Sequence, residues 1–290
     1  MLSLTQFSLK DIKNSVVEAL GRLKIEDYLQ EAEILICEAF EIDRVKIYTG
    51  DYKPSEKQLK KLSTWLEKRS QHIPLGYVIN KAFFYGNEFY VDENVLIPRS
   101  ETEVLVESVV KLFKDNKLSN KLIADVGTGC GNIAISLTKH LTSCKIMATD
   151  ICPQAIGVAK KNIENFGLEA NITLLKGDLF RALENYKGKI DIIVSNPPYI
   201  SEVEMDALSK EVRCEPYKSL YGGKDGLNFY KRFFQEAASY LSKDGLMFLE
   251  IGYNQGKSMR VMCEASENFS FLQIKKDYRK LDRIICCRKN

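Results

Sequence analysis

The sequence predicts an α/β protein. A doubly wound sheet of seven strands fills the C-terminal part, preceded by a small helical bundle and a β-hairpin linker. Three observations carry this reading. From Lys121 onward, short β-branched runs alternate with helix-length segments, the pattern of a sheet wrapped by helices. A glycine-rich turn follows the first of those runs and Asn196-Pro197-Pro198-Tyr199 follows the fourth, so two loops that suit ligand binding fall at strand ends. The first ~75 residues show only helical periodicity.

Residues 1–78 are read as the helical domain. Leu9, Ile12, Val16, Val17 and Leu20 form one apolar stripe, and Tyr28, Ala32, Leu35, Ile36, Ala39 and Phe40 form a second. Ser55 with Gln58 makes a capping box ahead of Leu59, Leu62 and Leu66. Residues 79–99 are read as the hairpin linker: Phe83-Phe84-Tyr85 and Phe89-Tyr90-Val91 flank Gly86-Asn87, a candidate two-residue turn. Residues 100–290 hold the sheet. Ser100 and Glu103 form an S-x-x-E box before Leu105, Val109 and Leu112, so Arg99 reads either as part of a helix start or as a pocket-facing cation. Strands are expected at 121–126, 144–149, 171–175, 190–195, 246–251, 270–275 and 283–287. Pro153 suits a first helical turn and Gly167 a C-terminal cap. The last two strands lack a helix-length connection, so a hairpin reverses that edge of the sheet.

Composition narrows the partners. A net charge of +3 from 42 basic and 39 acidic residues gives no electrostatic case for a nucleic acid or membrane partner. Residues 1–80 carry 12 of each sign, so the helical domain itself is neutral. No apolar run approaches the ~18 residues that cross a bilayer. Met1 to Asn14 show neither a secretory signal nor an Arg-rich transit pattern, and a cytoplasmic location is expected. The eight cysteines contain no C-x-x-C pair or zinc spacing, and most are expected to be small core residues. Cys286 and Cys287, adjacent in a strand, should point to opposite faces. With two histidines in the chain, neither a His-based metal site nor a catalytic triad is expected, and the metal assignment is none.

The chemistry lies at the strand ends. Ile190-Asp191-Ile192-Ile193-Val194-Ser195 leads into Asn196-Pro197-Pro198-Tyr199, where two prolines stop the ladder and fix a rigid turn. Asn196 offers an amide oxygen and Pro197 a carbonyl, two acceptors beside an aromatic ring that suit a planar amino group. Upstream, Asp125-Val126-Gly127-Thr128-Gly129-Cys130-Gly131 joins a strand to a helix. Such a loop lets the backbone approach a ligand and aims helix N–H groups at an anion. The next strand ends at Asp150, 19 residues after Gly131, where an acid meets a ribose diol. The G-x-G-x-G spacing disfavours a nicotinamide dinucleotide.

These residues resemble the class I S-adenosylmethionine (SAM) methyltransferases that act on planar amino groups. Leu96-Ile97-Pro98-Arg99-Ser100-Glu101-Thr102-Glu103, the glycine loop, Gly177-Asp178-Leu179-Phe180, Ser195-Asn196-Pro197-Pro198-Tyr199-Ile200 and Val212-Arg213-Cys214-Glu215-Pro216 occur in order. That longer pattern is similar to the PrmC/HemK family, which methylates the glutamine of class 1 peptide chain release factors. The specific motifs span residues ~80 to 290. Departures are Ser100-Glu101 in place of Pro-Asp, Cys130 in place of a small residue such as Thr, and Leu179 in place of an aromatic.

The resemblance implies a seven-stranded, Rossmann-like domain that takes SAM and releases S-adenosyl-L-homocysteine. Gly127, Thr128, Gly129, Cys130 and Gly131 would meet the amino-acid end of SAM. Asp125 would accept from its ammonium or orient the glycine turn, Asp150 would take the ribose hydroxyls, and Asp178, with Leu179 beside it, would take the adenine amine. Asn196 would face cofactor and substrate. Asn196, Pro197 and Tyr199 are the expected catalytic residues, and Pro198 and Arg99 the further substrate contacts. Tyr199 would pack on the flat amide or cover the sulfonium.

The release factor's Gly-Gly-Gln loop is then the expected substrate, gripped by the helical domain, with the enzyme a monomer. A ribosomal-protein glutamine is chemically equivalent at such a site. An adenine-directed nucleic-acid enzyme needs a basic route that the neutral helical domain does not offer. The intact Asn-Pro-Pro-Tyr argues against an idle SAM-binding module.

Overall fold

The computed structural model describes residues 8–141 and 143–290. The expectation of a signal-free start falls partly on residues 1–7, which lie outside the described residues. The chain divides into two compact units. One contains the residues up to Asn80 together with Lys210–Cys214, and the other contains Lys81–Ser209 and Glu215–Asn290.

The first unit is helical, with α1 (Leu9–Arg22), α2 (Tyr28–Phe40), α3 (Arg44–Thr49), α4 (Glu56–Ser70) and α5 (Leu75–Ile79). Its stripes meet as expected: Leu9, Ile12, Val16 and Leu20 pack with Leu35, Ile36, Phe40, Leu59 and Leu62 in one core. The Ser55–Gln58 capping box opens α4. Arg69, fully buried near the end of α4, donates through Nη2 to Glu31 Oε2 at 3.0 Å and to Glu211 Oε1 at 2.9 Å. A buried guanidinium persists only when its donors are matched in this way. The 210–214 segment, which no local pattern places with the helices, thus shares an ion pair with them.

The second unit opens with a hairpin, β1 (Lys81–Phe84) and β2 (Asn87–Tyr90). Its turn is Tyr85-Gly86, not Gly86-Asn87, because Phe84 pairs with Asn87. Both turn residues take positive φ, +48° and +73°, which matches the twist of the flanking strands. The Ser100–Glu103 capping box is not formed. A 3₁₀ turn occupies Ser100–Thr102, α6 (Glu103–Asn116) begins only after it, and Glu103 Oε1 accepts the Tyr85 N–H at 2.8 Å.

Strands and helices then alternate: β3 (Leu122–Val126), α7 (Asn132–His140), β4 (Lys145–Asp150), α8 (Pro153–Phe166), β5 (Ile172–Lys176), β6 (Ile190–Ser195), α9 (Glu202–Asp206), α10 (Tyr217–Leu220), α11 (Asn228–Glu236), β7 (Leu241–Glu250), α12 (Gly256–Glu264), β8 (Phe269–Lys276) and β9 (Asp282–Lys289). All seven expected strands exist. β7 starts five residues early because polar, turn-prone Ser242-Lys243-Asp244 hides its first half. Pro153 and Gly167 bracket α8 as expected.

The sheet order is β5-β4-β3-β6-β7-β9-β8, parallel except for the pairs β9 makes with β7 and β8. Alternate side chains fill two layers: Ile192, Val194 and Cys286 lie in one, Ile193 and Cys287 in the other. Five of the eight cysteines are buried and Cys214 is exposed. From β3 the chain winds outward through β4 and β5, then returns to place β6 on the other side. The switch point therefore lies between the C-terminal ends of β3 and β6, where such sheets bind ligands.

Candidate active site

A cavity of about 600 Å³ opens at this switch point, within the second unit. That is a usual size for a small-molecule site. The glycine loop forms one wall. Gly127 and Thr128 both donate their N–H groups to the Thr149 carbonyl at 2.8 Å, which folds the loop over the end of β4. Gly127, Gly129 and Gly131 take φ of +77°, +56° and +84°, a region in which side-chain-bearing residues are strained. A Cβ at Gly127 or Gly129 would meet nothing within 4 Å, so this part of the wall is bare backbone facing open space.

Asp150 lines the cavity and holds the loop. Its Oδ2 accepts the Gly129 N–H and its Oδ1 the Cys152 N–H, each at 2.9 Å. Burial raises its pKa, opposed by those two bonds. Asp125 lies beneath the loop, fully buried and outside the cavity lining. Its Oδ2 accepts from Thr128 Oγ1 at 2.6 Å and from the Ala134 N–H at 3.2 Å, while Oδ1 has no partner among the described residues. Burial pushes its pKa up to about 7. Of the two roles expected for Asp125, this geometry matches orienting the glycine turn. Asn162 on α8 ties the loop to the hairpin: its Nδ2 donates to the carbonyls of Cys130 and Tyr90, both at 2.9 Å.

Across the cavity stands the Asn-Pro-Pro-Tyr turn. Asn196, Pro197 and Pro198 line it, as do Thr128, Cys130, Leu179 and Arg99. Asn196, in the cavity wall, donates through Nδ2 to Thr102 Oγ1 at 3.1 Å, so its Oδ1 is the end of the amide not engaged by Thr102. No backbone N–H among the described residues donates to the Pro197 carbonyl. The turn is buttressed from behind: Gln255 Nε2 donates to the Tyr199 carbonyl at 3.0 Å, the Ile200 N–H donates to the Leu220 carbonyl at 2.9 Å, and the Gly222 N–H donates to the Ile200 carbonyl at 2.8 Å. A Cβ at Gly222 would lie 2.7 Å from Tyr199 Cα, so only glycine allows that approach.

The structure differs from expectation at Tyr199 and Gly131, which lie outside the cavity wall. Tyr199 is not part of the cavity wall; its hydroxyl donates to Glu250 Oε1 at 3.3 Å, and its ring packs against the core layer under the turn. Asp178 lines the cavity, and Arg232 on α11 engages both its oxygens, at 3.0 and 2.8 Å, which fixes the carboxylate and leaves each oxygen a further lone pair. Arg99 both faces the cavity and precedes the helical turn, and its guanidinium pairs with buried Glu215. Gly131 is also absent from the wall and serves instead as the left-handed cap of α7, against Ile135 and Ala159. Leu179, at φ +49°, sits in the wall next to Asp178, and Phe229 supplies an aromatic surface to the same cavity.

No role is read from the sequence for Glu250, Arg232 or Gln255, and Thr102 enters there only as part of the Leu96–Glu103 motif. Only Glu250 carries a readable signal, an acid at the end of an apolar strand run on the ligand-binding edge. Burial pushes the Glu250 pKa up to about 7, against the Thr102 hydrogen bond and the nearby Arg283 charge. Among the described residues no helix is long and apolar enough to cross a membrane, and no group of three or more His, Cys, Asp or Glu could hold a metal ion.

Sheet order, the reversed C-terminal strand and the loop-and-turn cavity define a seven-stranded methyltransferase. Residues 100–214 match the methyltransferase small domain family, and residues 12–79 match the PrmC N-terminal domain family. The release factor glutamine methyltransferase of Clostridium acetobutylicum is 34% identical over 94% of this chain and 97% of its own. That of Bacillus subtilis is 37% identical over 88% and 89%. The chain belongs to the release factor glutamine methyltransferase family. A methyltransferase from Pyrococcus furiosus shares the fold with a TM-score of 0.52 at 21% identity, covering 71% of this chain and 91% of that one.

Proposed function

We propose that this protein binds SAM in the switch-point cavity and methylates the side-chain nitrogen of the glutamine in the Gly-Gly-Gln motif of class 1 release factors. The residues fit that cofactor. Bare backbone at Gly127 and Gly129 leaves room for its amino-acid end, the Asp150 carboxylate in the cavity wall can accept from a ribose diol, and Leu179 and Phe229 offer apolar surface to a base. When bound, SAM supplies an electrophilic methyl group on a sulfonium.

The protein's own part is to make an amide nitrogen nucleophilic. Resonance withdraws its lone pair into the carbonyl, and a rotation barrier of ~18–20 kcal/mol shows how strongly a peptide amide resists losing it. Asn196 Oδ1 and the Pro197 carbonyl accept the two N–H bonds and direct the lone pair at the methyl carbon. One well-placed contact to a developing charge is worth roughly 3 kcal/mol, and in-line alignment adds to it. The observation that carries this reading is the fixed Asn196 amide, whose Nδ2 is committed to Thr102. No metal and no covalent enzyme intermediate are invoked.

The protein is proposed to act as a cytoplasmic monomer, with the neutral helical unit contacting the release factor. The test is purified protein with labelled SAM and separate release-factor, ribosomal-protein and tRNA fractions. Label in a release-factor glutamine is expected. Label only in a ribosomal glutamine or only in RNA would overturn the substrate assignment.

A further inference from the structure

Three polar side chains from distant parts of the chain form a one-way relay that runs from the cavity wall at Asn196 and Thr102 to Glu250 outside it. Asn196 Nδ2 donates to Thr102 Oγ1 at 3.1 Å, and Thr102 Oγ1 donates to Glu250 Oε2 at 2.6 Å. Thr102 and Glu250 are almost fully buried. Tyr199 donates to the other Glu250 oxygen, and the Tyr230 hydroxyl on α11 donates to the Glu250 carbonyl at 2.8 Å.

The two ends of an Asn amide are nearly the same shape but opposite in hydrogen bonding. An ionised carboxylate only accepts. The Thr102 proton must therefore point at Glu250, and the remaining Thr102 lone pairs can only accept. Asn196 must then turn its NH₂ group toward Thr102 and its oxygen toward the cavity. Protonated Glu250 loses this direction: it can donate to Thr102, which can then donate to Asn196, and the amide flips. A flipped Asn196 would present N–H to the substrate's own NH₂, donor against donor.

We infer that Thr102 and Glu250 are positioning residues that fix which end of the Asn196 amide faces the methyl acceptor. The inference rests on the proposed two-acceptor chemistry and extends it to Thr102, in the cavity wall, and Glu250, outside it, both of which would act on the acceptor through Asn196. Arg283 on β9, itself held by Asp277, favours the ionised form of Glu250. Glu101, in the same 3₁₀ turn as Thr102, opposes it, and the remaining facing groups are the Tyr199 and Tyr230 hydroxyls.

The test is single-turnover methyl transfer to a release factor at saturating SAM, with SAM affinity measured separately. Thr102→Val and Glu250→Gln should each slow transfer by about tenfold or more while SAM affinity stays within about twofold. Thr102→Ser should recover most of the rate lost in Thr102→Val. In the wild type the rate should rise with pH as Glu250 ionises, and this rise should be absent in Glu250→Gln. Because the pH comparison is also made on the wild type, it holds even if Thr102→Val does not fold. Thr102→Val at wild-type rate, or a pH rise that persists unchanged in Glu250→Gln, would overturn the relay. A wild type that transfers no methyl to the release factor would instead overturn the proposed function.

Discussion

Asp150 Oδ2 accepts the Gly129 N–H at 2.9 Å, so the acid that ends β4 also holds the loop that follows β3. One carboxylate thus shapes the cavity wall and lines it. Asp150→Ala should weaken SAM binding by more than about tenfold, since a hydrogen bond to a charged group contributes ~1.5–3 kcal/mol and loop order is lost as well. Calorimetric titration measures this. An affinity within about twofold of wild type would reduce Asp150 to a flanking carboxylate.

Gly226 packs against the Asn-Pro-Pro-Tyr turn at a φ of +72°, and a Cβ there would stand 2.4 Å from the Tyr199 carbonyl oxygen. Gly226→Ala should therefore displace the turn and slow methyl transfer by about tenfold or more, because small misplacements in such geometry are costly. SAM affinity, proposed to depend mainly on the glycine loop, should change little. Equal losses in binding and transfer would mean that the turn also sets the cofactor wall.

Burial raises two carboxyl groups, Asp125 and Glu250, to about 7. Between the ordinary carboxylate range and that value, the folded protein holds protons that the unfolded chain has released. Stability contributed by these groups is therefore present at the acidic end of the window and lost as pH rises through about 7. One pKa unit corresponds to ~1.4 kcal/mol, so the effect is a few kcal/mol for each group. Urea unfolding of Asp125→Asn at several pH values should show a smaller decline across this window than wild type. An unchanged slope would mean that Asp125 does not titrate there.

Arg69 binds Glu31 and Glu211 at zero exposure. Arg69→Met leaves Glu31 without its buried cation and should destabilise the helical unit by ~3–5 kcal/mol. Thermal unfolding followed by circular dichroism would show it. A loss below about 1 kcal/mol would place the pair with solvent-screened surface bridges.

What the sequence makes legible is what local spacing dictates. Gly127 to Asp150 spans one strand-helix-strand unit, so the loop and its acid can be read without knowing the rest of the fold. The same holds for Asn196 to Pro198, where the prolines end β6 at the binding edge. Thr102 and Glu250 are 148 residues apart and meet only because α6 is preceded by a turn that reaches the end of β7, which no local pattern encodes. Arg232 meets Asp178 across 54 residues for the same reason. The mistaken turn at Gly86-Asn87 and the unformed Ser100 box are errors of one to three residues. There, tertiary bonds such as Tyr85 N–H to Glu103 decide between close local alternatives.

Asn196 is proposed to act on the acceptor rather than on the cofactor. The most direct measurement is single-turnover methyl transfer by Asn196→Ala at saturating SAM, with a release factor as substrate and SAM affinity determined in parallel. Removing Oδ1 frees one N–H of the target amide and forfeits roughly 3 kcal/mol or more of transition-state alignment, so transfer should fall by at least about a hundredfold while SAM affinity falls only modestly. Transfer at near wild-type rate would contradict the two-acceptor mechanism and leave Asn196-Pro197-Pro198-Tyr199 as a strand-ending turn.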